Sequence, residues 1–207
     1  MKKIILLTLL LSSSISTFAL ELDFYSSESF CYESPKAQKR NGLYYLPNQQ
    51  EPFTGENHCV YSNGQDHSKG NILNGLKDGK WTWWYKNGQK EDEFNFKNNN
   101  QHGKFTRWFE NGQIEVEGDF KDDKADGLHV WWFINGQKSE DINWKDGKLH
   151  GEYITWNQNG NAYGIQNYKD GLRDGKMTVW HEDGRLFEWV FKDGVCIGSN
   201  SNANCDD

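Results

Sequence analysis

The side chains of this chain that could carry chemistry fall into a regular pattern. His102 and His150 share one position of a 24-residue spacing with Asp78, Asp126 and Asp174, each directly before a glycine. His181-Glu182-Asp183 form a compact acid–base triplet. Four cysteines lie towards the ends, Cys31 and Cys59 on one side, Cys196 and Cys205 on the other. Histidine, aspartate and cysteine are the residue types of metal sites and acid–base catalysis, so the elements that position them decide what they can do.

Those elements repeat. Gly79, Gly103, Gly127, Gly151 and Gly175 share one column, and Trp84, Trp108, Trp132, Trp156 and Trp180 share another. A weaker sixth unit begins at Gly55, with Val60 in place of the tryptophan. Within each unit a run rich in aromatic and β-branched residues leads into Asn-Gly or Asp-Gly. A second run follows and ends on Phe96, Phe120, Trp144, Tyr168 or Phe191. This is the signature of a β-hairpin, and Asn-Gly suits the two-residue type I′ turn. A second glycine-rich reversal, such as Lys145-Asp146-Gly147-Lys148, leads to the next hairpin. No window beyond the N-terminal segment has the 3.6-residue apolar period of a helix.

Val116-Glu117-Gly118-Asp119-Phe120 through Ala125-Asp126-Gly127 resembles the MORN repeat. Trp108 to Gln113 and Trp132 to Gln137 resemble the Asn-Gly-Gln variant of the bacterial YwqK-type antitoxin family. The resemblance covers roughly residues 40 to 198. It implies an all-β fold, an elongated single-layer antiparallel sheet of stacked hairpins, and a role as a scaffold or interaction platform. Stacking also follows from the hairpins themselves, because a lone hairpin cannot bury its apolar face.

On this reading, equivalent positions of successive units lie about 9 to 10 Å apart, too far for column-mates to share a metal ion. His102 and His150 are therefore expected to cap turns, and His181-Glu182-Asp183 to occupy a hairpin tip. No nucleophile elbow, zinc-protease, P-loop or dinucleotide motif occurs. The expectation is a non-enzyme without metal or cofactor.

Along a strand, Trp84 and Thr82 point to one face while Trp81, Trp83 and Tyr85 point to the other. The uniform tryptophan column (Trp84, Trp108, Trp132, Trp156, Trp180) is read as the packing face. The varied face, Trp81, Trp83, Tyr85, Phe105, Phe109, Trp131 and Phe133, is left as the binding surface. Its cover could be the N-terminal segment, a second copy or a separate ligand.

The ends supply the cellular context. Residues 1–19 join Lys2 and Lys3 to a short apolar run and Thr17-Phe18-Ala19, the pattern of a secretory signal peptide. Residues 20–52 are expected to cap the array, 53–198 to form its six units, and 199–207 to be a tail. Pairings that join the two ends would have to span a dozen strands, over about 50 Å. Cys31–Cys59 and Cys196–Cys205 remain, with free buried thiols as the alternative. Lys and Arg number 23 against 30 Asp and Glu, which disfavours nucleic acid and anionic lipid as partners. The leading expectation is a periplasmic or secreted protein-binding module. A toxin-neutralising antitoxin is one special case, and a carbohydrate-binding module of the cell envelope is the second class.

Overall fold

The computed structural model describes residues 37–200 and 203–205. The expected signal peptide, residues 20–36 of the cap and Cys31 lie outside the described residues. β1 (Gln38–Arg40) and β2 (Leu43–Tyr45) pair as a small hairpin. The main sheet begins with β3 (Gly55–Val60), β4 (Asp66–Leu73), β5 (Leu76–Trp84), β6 (Lys90–Lys97), β7 (Asn100–Trp108) and β8 (Ile114–Lys121). It continues through β9 (Lys124–Ala125), β10 (Gly127–Trp132), β11 (Lys138–Lys145), β12 (Lys148–Trp156) and β13 (Ala162–Lys169). β14 (Leu172–Arg173), β15 (Gly175–Trp180), β16 (Leu186–Lys192) and β17 (Val195–Ser199) complete it. Every pairing is antiparallel and follows chain order, and the sheet stays open with β3 and β17 at its ends.

The turn chemistry differs from the sequence reading. At the Asn-Gly tips only the glycine is left-handed, as at Gly88 (φ 85) and Gly112 (φ 85). The Gly88 N–H donates to the Tyr85 carbonyl at 2.9 Å, which makes a type I turn closed by glycine. Asn87 instead accepts from the Gln89 N–H and donates to the Glu110 carbonyl of the next tip, at 2.9 Å each. Positive φ at two successive residues occurs at the opposite reversals, as at Asn98 (φ 51) and Asn99 (φ 72), and at Asp146 (φ 50) and Gly147 (φ 79). The alternating Asp/His column serves these tight reversals. Asp78 accepts from the Asn98 N–H and Asp126 from the Asp146 N–H, while His102 and His150 contact the carboxylates of Asp122 and Asp170.

The core is one aromatic face. Ile72, Trp81, Phe94, Phe96, Phe105, Val116 and Phe120 are buried together, with Tyr44, Phe53, Trp83, Ala125 and Trp131 packed against them. Phe94 and Phe105, directly paired across β6 and β7, stack with centroids 5.3 Å apart. Each such burial contributes roughly 1.5–3 kcal/mol. Without a second layer, the large rings are covered by lying flat on glycines of the neighbouring strand. A Cβ on Gly70 would stand 2.3 Å from Trp81 Cδ2, and one on Gly118 would stand 2.4 Å from His129 Cδ2. Each ring then reaches the carbonyl of the residue after its glycine: Trp81 Nε1 donates to the Asn71 carbonyl at 2.9 Å, and His129 Nε2 to the Asp119 carbonyl at 2.8 Å. That bond fixes His129 with its proton on Nε2, and burial pushes its pKa below the ordinary imidazole value.

The expected packing column is corrected by this arrangement. Trp84, Trp108, Trp132 and Trp156 are half-buried, and Trp180 is 41% exposed. A β-bulge falls just before each of Trp84, Trp108, Trp132 and Trp156, where the strand runs out towards the tip. The rings therefore meet water and lysine stems: the Lys90 ammonium lies 5.3 Å from the Trp108 ring and that of Lys138 5.5 Å from Trp156. Thr82, Val130 and Thr178 are the buried residues of that face.

Glycine complementarity carries a direct prediction. Gly118→Ala should destabilise the protein by about 1–3 kcal/mol in urea unfolding, the cost of overpacking. Gly198→Ala, where a Cβ meets nothing within 4 Å, should be neutral to within about 0.5 kcal/mol.

Candidate interaction surface

Of the residues expected to bind a partner, Trp81 and Phe105 are 3% and 5% exposed and belong to the core. Trp83 and Trp131 pack against that core. The expectation that these four face a ligand is corrected: the cross-strand pairs Trp81–Phe94 and Phe94–Phe105 cover one another within the sheet. Tyr85, Phe109 and Phe133 stand apart from them, half-buried, where each tip begins. The Tyr85 hydroxyl donates to the Trp108 carbonyl at 2.7 Å, as Tyr61 does to Trp84 at 2.7 Å, so these two tyrosines each tie one tip to the next.

Beside Trp83 the face becomes charged. Arg107 grips Asp92 through Nε at 2.7 Å and Nη2 at 3.3 Å, and Asp92 is buried. Burial raises the Glu91 and Glu115 carboxyls above their ordinary range, with the Asp92 charge adding to it. The Tyr85 phenol is pushed up to about 12 by burial and then by these carboxylates. Arg107 neutralises Asp92, the one buried carboxylate among the described residues, and the group is an ion network holding two strands in register. At the last tip Asp183 is held below the ordinary carboxylate range, chiefly by its hydrogen bond from Arg185. His181 lies 3.0 Å from that same carboxylate, so the triplet is a turn lock.

Two features lay outside the residue types that flag chemistry in the sequence. Lys77 sits on β5 with its ammonium 4.4, 4.8 and 4.9 Å from the ring centroids of Trp81, Trp83 and Phe96. Burial, and secondarily the Lys39 charge, lower its pKa to about 8. Its column otherwise holds Phe53, Gln101, Ala125, Leu149 and Arg173, so position alone did not mark it. The other feature is the C-terminal end, where apolar side chains come to the surface. Trp180 is 41% exposed, Val190 42%, Val195 65% and Ile197 64%. The tail returns to the sheet through the Cys196–Cys205 disulfide, and Trp189 Nε1 donates to the Asn204 carbonyl at 3.0 Å. Cys59 is buried and disulfide-bonded, while Cys31 lies outside the described residues.

The stacked hairpins, with tips joined at 24-residue intervals, have a counterpart among known families. The family model described as MORN repeat variant matches residues 77–98, 101–122 and 149–170. These three segments are MORN-type repeats. Each matched segment spans one tip and ends on the first residue of a tight reversal, Asn98, Asp122 or Asp170. β10 and β11, between two matched MORN segments, repeat the same type I tip at Phe133 to Gln137. No curated protein matches the chain. MORN repeats are a non-catalytic module, generally found in interaction or scaffold proteins.

The enclosed ammonium predicts a pH dependence. A base whose folded pKa is about 8 against an ordinary 10.5 binds fewer protons folded than unfolded between those values. Its penalty is therefore full below pH 8 and is relieved as pH rises towards 10.5. Relative to Lys77→Met, the parent should gain stability across that window in chemical denaturation, and the difference should be flat below it.

Proposed function

We propose that this chain is an exported, non-catalytic scaffold that receives a partner protein at the C-terminal end of its sheet. The observation that carries this reading is the distribution of apolar surface. From Ile72 to Trp131 the aromatic face is consumed by the core. At β15 to β17 apolar side chains are open, and Val195 and Ile197 sit on the terminal strand of the sheet. An open strand with apolar side chains is a template for strand addition by another chain. MORN-type architecture supports a platform role, and the pattern of residues 1–19 supports export. Across the two preceding strands Lys176 pairs with Glu188, so polar side chains border the terminal apolar ones, as at interface rims. A toxin neutralised outside the cytoplasm would be one such partner.

The test is capture of proteins from the envelope fraction by the parent and by a Val195→Lys/Ile197→Lys variant. Capture should fall at least about tenfold, roughly 1.4 kcal/mol, with the unfolding midpoint within a few degrees of the parent. Ile134→Lys, at an exposed tip (63% exposed), should capture normally. Retained capture by the double variant, or equal loss in Ile134→Lys, would place the partner elsewhere.

A further inference from the structure

At the other end of the sheet, the β1–β2 hairpin meets β5 to β7 around a cavity of about 220 Å³. The rings of Tyr44 and Phe96 line it together with Lys39, Lys77, Gln101 and Asp123. Lys39 also lies 5.9 Å from the Tyr44 ring centroid. Asp123 is fixed at the rim, its carboxylate accepting the Gln101 N–H at 2.7 Å. Two ammonium groups thus converge on one partly enclosed space. Among the described residues, neither has a carboxylate at ion-pair distance.

A cation above an aromatic ring is not by itself unusual in this sheet. Arg173, in the column of Lys77, stands 5.2 Å from the Phe191 ring centroid. What distinguishes Lys77 is the second ammonium and the cavity between them. An enclosed ammonium beside a second, exposed one is unfavourable unless an anion enters. With Asp123 on the rim, the lining carries one net positive charge, which suits a monoanion better than a phosphate dianion. The volume is below the roughly 300–1,000 Å³ of sites for drug-sized ligands. The two rings offer apolar surface to the body of a small molecule.

We propose that this cavity binds a carboxylate of amino-acid size, its charge on Lys77 and Lys39 and its apolar part against Tyr44 and Phe96. The source is a free organic acid or the C-terminal carboxylate of a peptide. The inference goes beyond the partner-binding reading and stands at the opposite end of the sheet, so either can fail alone.

The experiment follows the Lys77 side chain by NMR in ¹³C-lysine-labelled protein, with the resonance assigned by its loss in Lys77→Arg. It is titrated with pH alone, with benzoate, and with N-acetyl-Gly-Phe bearing a free or an amidated C-terminus. In the free protein Lys77 should titrate near 8. A saturating carboxylate should raise that midpoint by about one unit, a tenfold preference for the charged amine. The amide should have no effect, and Lys39→Gln should weaken binding at least about tenfold, the scale of one lost charge contact. Response to benzoate alone identifies a free acid, and response to the peptide alone a chain terminus. No movement with either at tens of millimolar, an equal response to the amide, or undiminished binding in Lys39→Gln would overturn the proposal.

Discussion

A one-layer sheet has no partner layer to cover its apolar face, and the rest of this structure follows from that constraint. The rings must be hidden by their own neighbours. Trp81 and His129 achieve this by lying on Gly70 and Gly118, where the missing side chain leaves room for a flat ring. The paired phenylalanines of β6, β7 and β8 close the gaps between them, with Phe105 and Phe120 centroids 4.9 Å apart. Alternation of large and absent side chains is what gives the face its cover.

The same rule explains why the two ends differ. Where Trp, Phe and Gly alternate, the core is continuous; where Tyr153, Gln166 and Met177 replace them, the face is only half-covered. At the N-terminal side the β1–β2 hairpin adds a lid: the Tyr44 N–H donates to the Gly75 carbonyl at 2.9 Å, and the Phe53 N–H to the Tyr44 carbonyl at 2.8 Å. At the C-terminal side a disulfide holds a short tail against Trp189 and leaves the outer side chains of β17 in water. Stability is therefore concentrated in the units from β4 to β10. The terminal strand carries exposed apolar side chains, Val195 and Ile197, where an additional chain could extend the sheet.

Much of the fold was legible because its determinants are local. The 24-residue period, the alternation that ends on Phe96 and Phe120, and the glycine-bearing reversals each report a strand or turn from a few residues. Distance narrowed the cysteine pairings to those within each end, and Cys196–Cys205 is one of them. The division of faces was not legible, for two physical reasons. Bulges before Trp84, Trp108, Trp132 and Trp156 place those rings at the frayed strand ends, and a bulge is not visible in alternation. The fit of Trp81 to Gly70 depends on cross-strand register, which a single sequence reports only indirectly. Lys77 was missed for a related reason: besides Trp81 and Trp83 of its own strand, its environment comes from Phe96 on β6 and from Lys39 on the distant β1, and that convergence depends on how the β1–β2 hairpin packs on the sheet.

The varied aromatic face is the core, and the uniform tryptophan column is the wetter side. Hydroxyl-radical footprinting of the tryptophans, read residue by residue by mass spectrometry, measures this directly. Trp81, 3% exposed, should be the slowest to oxidise and Trp180, 41% exposed, among the fastest, with Trp108 and Trp156 between them. Oxidation of Trp81 as fast as Trp180, with Trp108 and Trp156 protected, would return the core to the opposite face.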